Sequence, residues 1–118
     1  MQIKERTVDG VVILDVSGKI LIGDGEVQLK RKFTQLLEQG HRRMIINLGE
    51  VPYMDSSGLG AVVRCHTAVH RAGGELKLAN LTQRMLDLLT ITKLMTVLDT
   101  YDTEEDALKS FGAVQQPQ

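Results

Sequence analysis

Met44-Ile45-Ile46-Asn47-Leu48, then Gly49 to Met54, then Asp55-Ser56-Ser57-Gly58-Leu59-Gly60, is the stretch that decides how this chain folds. Its apolar opening predicts a short buried strand, Met44 to Leu48. The Gly49 to Asp55 loop follows, because Pro52 excludes a regular continuation. Asp55, Ser56 and Ser57 then supply the side-chain oxygens that satisfy free backbone N–H groups at a helix start. Leu59, Val62, Val63, His66 and Val69 share one helical face, which predicts a helix from Ser56 or Ser57 to Ala72, stopped by Gly73-Gly74.

On the N-terminal side, Gln2 to Val8 and Val11 to Ser17 flank Asp9-Gly10. That dipeptide between β-rich runs predicts a hairpin, since its turn requires positive φ. Val11 to Leu14 with Val16 is nearly continuously apolar, the pattern of a strand covered on more than one side. A helix is predicted over Asp24 to Gln39, with Val27, Leu29, Phe33, Leu36 and Leu37 inward and Gly40 as the stop. On the C-terminal side come a strand at Glu75 to Ala79, a short helix at Thr82 to Thr90 and a short strand at Thr96 to Leu98. Thr103 caps a last helix, Glu104 to Phe111, whose opening acids favour the helix dipole. The order is β β α β α β α β α. It implies an α/β domain over residues 1–111, with a mixed, mainly parallel sheet, an N-terminal antiparallel hairpin and about four helices concentrated on one face. Residues 112–118 read as a polar tail.

The totals narrow the function. With 118 residues there is room for one domain, and 42% apolar but only 3% aromatic residues give an aliphatic core. Lys and Arg number 14 against 15 acids, so the basic surplus or stripe of a nucleic-acid binder is missing. The single Cys65 excludes an internal disulfide and fits a reducing compartment. No stretch reads as a signal peptide or membrane span, so a cytoplasmic chain without membrane insertion is expected.

Three chemistries have candidate residues in the sequence. Cys65, His66 and His70 suggest a metal, but zinc needs three or four ligands and His66 lies on the apolar face, so no metal ligand is expected. Serine hydrolysis needs a nucleophile elbow, which Met54-Asp55 before Ser56 does not provide. Gly58-Leu59-Gly60 is too short for a nucleotide loop, and neither catalytic nor cofactor-binding residues are expected. Asp99, Asp102 and Glu104 to Asp106 read as a solvated loop and first helical turn. Leu86, Leu89, Ile91, Leu94 and Met95 read as core, part of them available as the rim of a partner groove.

Two readings of Asp55 to Gly60 remain. In one it is a helix cap with glycines for close backbone packing. In the other, a serine hydroxyl at a helix N-terminus is where an added phosphate is tolerated, and Gly58 and Gly60 leave the neighbouring surface open.

The run Asn47-Leu48 followed by Asp55-Ser56-Ser57-Gly58-Leu59-Gly60 resembles the signature of the STAS-domain anti-sigma-factor antagonists. The resemblance extends to Ala72 through Leu78, to Leu86-Asp87-Leu88-Leu89, to the Asp99 region and to Glu104 through Ala107. It implies a STAS fold and a non-enzymatic protein. The partner it implies is an anti-sigma factor that is also a GHKL-type serine kinase. Unphosphorylated, the antagonist would bind that kinase and free the sigma factor. Phosphorylation would switch it off, and a PP2C-type phosphatase would reset it. The implied acceptor is Ser56, with Ser57 as second choice. Asp55, Ser56, Ser57, Gly58, Leu59 and Asp24 are the implied partner-binding set. One departure stands out: many relatives have an acidic residue three positions after the strand-ending glycine, where this chain has Leu21 after Gly18, and Asp24 is the candidate replacement. The alternative is a STAS subunit of a transport or signalling complex in which Ser56 is never phosphorylated.

Overall fold

The computed structural model describes residues 1–115, with side chains through Phe111. A five-stranded sheet is built in the order β1-β2-β3-β4-β5. Its elements in chain order are β1 (Gln2–Val8), β2 (Val11–Ser17), α1 (Asp24–Glu38), β3 (Arg43–Glu50), α2 (Ser56–Arg71), β4 (Glu75–Ala79), α3 (Gln83–Ile91), β5 (Asp99–Tyr101) and α4 (Glu104–Gln115). β1 and β2 pair antiparallel, from Gln2 opposite Ser17 to Val8 opposite Val11. Asp9 at φ 52° and Gly10 at φ 79° make the turn, the two positive values that match a hairpin's twist. All other pairings are parallel.

Alternation along the strands divides the core in two. Val12, Leu14 and Val16 of β2, Met44, Ile46 and Leu48 of β3, and Leu76 and Leu78 of β4 face one side. There they meet Leu29 and Phe33 of α1, Val62 and Val69 of α2, and Met85 and Leu89 of α3. Val11, Ile13, Ile45 and Ala79 face the other side, under Ala107 and Phe111 of α4. The expected concentration of helices on one face is therefore incomplete. The apolar residues alternate onto both faces of β2 and β3, and the second face needs its own cover.

Two boundaries are corrected. The strand expected at Thr96 to Leu98 lies instead at Asp99–Tyr101, where Lys77 to Ala79 supply the parallel partners. Lys93 at φ 62° ends the α3 segment. The amides of Val97 and Leu98 then both donate to the Leu94 carbonyl, so a turn consumes the β-branched residues before the chain reaches the sheet edge. α4 also runs on to Gln115 past the expected end at Phe111. One interior glycine, Gly112, weakens a helix by about 1 kcal/mol without stopping it. Residues 116–118 of the expected tail lie outside the described residues. Among the described residues no helix is long and apolar enough to cross a membrane.

At the C-terminal ends of the central strands a polar ladder crosses the α4 side of the sheet. The Asn47 amide donates to Asp15 Oδ1 at 2.9 Å, and its own Oδ1 accepts from Asn80 Nδ2 at 2.9 Å and from the Gly49 N–H at 3.1 Å. Asn47 thereby ties three strands together and sets the exit of β3 toward the Asp55 loop. Arg6 closes the ladder by pairing with both Asp15 and Glu104. Its hydrogen bond, then that of Asn47, holds the Asp15 carboxyl below its ordinary 3.8. A depressed folded-state value stabilises the protein fully above the unfolded value and loses that contribution as pH falls through the folded value. Urea midpoints are therefore expected to fall with acidification below about pH 4. Asp15→Asn should flatten that acid limb while costing roughly 1 kcal/mol at neutral pH, after allowance for solvent screening.

Candidate functional site at the start of α2

The chain leaving β2 and the chain approaching α2 run side by side beyond the sheet. The Ile20 N–H donates to the Tyr53 carbonyl at 3.1 Å, and the Asp55 N–H donates to the Ile20 carbonyl at 3.3 Å. Ile20 and Met54 pair across this extension, and both are buried. Asp55 then caps α2, its Oδ1 accepting from the Gly58 N–H at 2.7 Å. Its second oxygen accepts from the Ile22 N–H at 3.2 Å, so one carboxylate holds both the helix start and the β2–α1 loop. The Gly58 amide, followed by the Ile22 and Ser57 amides, keeps this carboxyl below the usual carboxylate range. Asp55→Ala is expected to lower the melting temperature by a few degrees and to loosen Ile22, read as faster amide exchange at Ile22 and Gly58.

Gly58 fits this arrangement for a steric reason. A Cβ there would lie far inside van der Waals contact distance of the Ile20 carbonyl oxygen and 2.9 Å from Met54 Cγ. The glycine faces the protein, not an open surface, so that part of the sequence reading is corrected. At Gly60 a Cβ would meet only the movable Arg64 guanidinium, at 3.2 Å.

Ser56, the first residue of α2, is exposed, Asp55 and Ser57 are half-buried, and Leu59 is buried beneath them. Among the described residues, the Ser56 hydroxyl has no hydrogen-bond partner. Beside it is a shallow cleft of about 320 Å³ whose lining includes Tyr53, Ser56, Arg84, Leu88 and Ile91. The Arg84 guanidinium stands 5.8 Å from the centre of the Tyr53 ring. Ile22 is 70% exposed, Tyr53 40% and Ile91 77%. Large apolar side chains thus stand in solvent around the serine, on the β2–α1 loop, the α2 approach and the end of α3. Of the apolar group from Leu86 to Met95, read as core with part of it as a groove rim, Leu89 is buried, while Ile91 in the last turn of α3 and Met95 after it are exposed. Ile22, Tyr53 and Arg84 gave no local signal, because the pairing of Ile20 with Met54 aligns the first two segments and Arg84 arrives from α3. Asp24 is exposed and accepts from Gln28 of its own helix at 2.7 Å. Leu21 is half-buried.

His66 lies ten residues along α2 from Ser56, about 15 Å by helical rise, so no histidine on that helix can serve as its base. His66 and His70 stack with ring centres 6.3 Å apart. Among the described residues no group of three or more His, Cys, Asp or Glu side chains is placed to hold a metal ion. Cys65 is buried, and desolvation pushes its thiol up to about 12, which makes it inert.

Comparison with known proteins places this architecture. Residues 2–107 match the STAS domain family. The chain is 38% identical over 102 residues to the anti-sigma-B factor antagonist of Bacillus subtilis, covering 86% of each. Its fold superposes with a TM-score of 0.85 on the crystal structure of a Thermotoga maritima protein assigned to the anti-sigma factor antagonists, at 26% identity and 92% coverage of both. It also shares the fold of the anti-sigma factor antagonist SpoIIAA in its unphosphorylated form, at a TM-score of 0.72, 19% identity and coverage of 98% and 100%. The mixed sheet with its antiparallel hairpin, the helix-capping Asp55 and the Asn47 ladder are thus features of a protein that belongs to the STAS domain family.

Proposed function

We propose that this chain is an anti-sigma factor antagonist: a binding protein, not an enzyme, that docks an anti-sigma factor through the surface around Ser56 and is released when Ser56 is phosphorylated. The observation that carries the reading is the exposed Ser56 hydroxyl at the α2 N-terminus, ringed by exposed Ile22, Tyr53 and Ile91. Such a ring supplies the apolar contact of a protein interface, and the hydroxyl at its centre is neutral and easily desolvated. A phosphate there carries a charge of about −2. The partner would have to desolvate it or meet it with its own groups, and either outcome weakens binding. The helix itself tolerates the added anion, because the N-terminal dipole favours it.

In this reading the partner is a GHKL-type anti-sigma factor serine kinase, and a PP2C-type phosphatase restores the unphosphorylated form. Asp55 acts by holding the helix start and the Ile22 loop in register, so the surface is formed before the partner arrives. Leu59 supports it from beneath, Ser57 lies at its edge, and Asp24 contributes negative charge at the start of α1.

Tagged chain recovered from its native cell, with mass spectrometry of co-purifying proteins and of the Ser56 peptide, tests the proposal. Recovery of an anti-sigma factor with phosphate at Ser56 is expected. Recovery of membrane transport subunits, with Ser56 never phosphorylated, would replace it with the transport-complex reading.

A further inference from the structure

The seam between α1 and α2 holds a cavity of about 190 Å³ that shares no lining residue with the Ser56 cleft. Phe33 and Leu37 of α1 form one wall, and Ala61, Cys65 and Ala68 of α2 form the other. Packed helices normally interdigitate their side chains. Here Phe33, Ala61 and Cys65 are buried in the main core with Leu37 packed against it, and a space remains on the outer side of the seam. An engineered apolar cavity of roughly 150 Å³ takes benzene, so this larger one has room for a medium-length alkyl chain. Its mouth is charged. Lys30, Arg64 and Glu26 line it, two cations and one carboxylate. Arg64 and Glu26 pair with each other at 2.7 Å, while Lys30 forms no ion pair among the described residues.

We infer that this cavity binds a medium-chain monocarboxylate, with the alkyl chain between Phe33 and Ala68 and the carboxylate at Lys30. The apolar walls select a hydrocarbon, and the single net positive charge at the mouth selects a monoanion. A dianion would be left with one negative charge uncompensated beside Glu26. Burial of the chain supplies the affinity, and Lys30 sets the sign of the head group.

Octanoate titrated into the full chain, followed by amide NMR, tests the inference. Saturable shifts at Thr34, Ala61 and Ala68 are expected, with octan-1-ol binding about tenfold more weakly, a difference of about 1.4 kcal/mol. Ala68→Leu fills the cavity from an exposed position and should abolish the saturable shifts. Lys30→Glu leaves the walls intact and should weaken octanoate about tenfold without weakening octanol. Shifts that fail to saturate, or that Ala68→Leu leaves unchanged, would overturn the site. Equal affinity for octanoate and octanol, or no effect of Lys30→Glu, would overturn the anion assignment. None of these outcomes bears on phosphorylation of Ser56.

Discussion

Gly58→Ala is expected to destabilise the protein by about 2 kcal/mol and to disorder the docking surface, despite placing a better helix former inside α2. Exchanging glycine for alanine in a helix is worth about 1 kcal/mol in favour of the variant. Against that, the new methyl meets the Ile20 carbonyl oxygen, a backbone atom that cannot rotate away. Overpacking a well-packed site costs about 1–3 kcal/mol, occasionally more. A rigid neighbour puts the cost at or above the upper end, so the steric term wins. Relief requires α2 to shift from Ile20, which stretches the Asp55 N–H to Ile20 bond and the Ile22 N–H to Asp55 bond together. Thermal melts and amide exchange at Ile22 read both effects. Gly60→Ala is the internal control. Its methyl meets only the end of Arg64, so the helix-propensity gain should survive and the melting temperature should hold or rise.

Ser56→Asp should leave the fold intact and weaken binding to the proposed anti-sigma factor partner by about 2–3 kcal/mol, roughly thirty- to 150-fold. The position is exposed and at a helix N-terminus, where an acid is favoured, so the change in stability should stay within about 0.5 kcal/mol. The loss would come from the proposed interface, where a charge replaces a hydroxyl inside a ring of exposed apolar side chains. Ser56→Ala removes one hydrogen-bonding group from a surface site and should bind within a few-fold of the unaltered chain. Calorimetric titration of the variants against the partner, alongside their thermal melts, separates the two terms. A Ser56→Asp protein that binds as tightly as the parent, or that loses affinity only by unfolding, would count against the switch.

What the sequence made legible were the features coded within a few residues of one another. Asp9-Gly10 announced its hairpin because positive φ at successive residues is a local demand. Asp55 and Thr103 announced their helices because a cap acts over three residues, and each side chain accepts the expected amide. The serine at the head of α2 could be found for the same reason. What lay outside reach depends on pairing across the fold. The second bond of Asp55 goes to Ile22, and the obstacle that requires Gly58 is Ile20. Neither can be read from the D-S-S-G-L-G run alone. Thr96 to Leu98 has strand composition, yet the turn at Leu94 and the free edge of β4 decided where β5 formed. α4 crossed to the opposite face because Ile13, Ile45 and Ala79 needed cover there, a demand set by the register of three strands.

Intact-mass analysis after incubation with the proposed anti-sigma factor kinase and ATP tests most directly whether Ser56 is the acceptor through which that kinase would control this chain. The unaltered chain, Ser56→Ala and Ser57→Ala are compared. One phosphate on the unaltered chain and on Ser57→Ala, with none on Ser56→Ala, is the predicted result. Phosphate retained on Ser56→Ala, or none on the unaltered chain while it binds the kinase, would contradict the account.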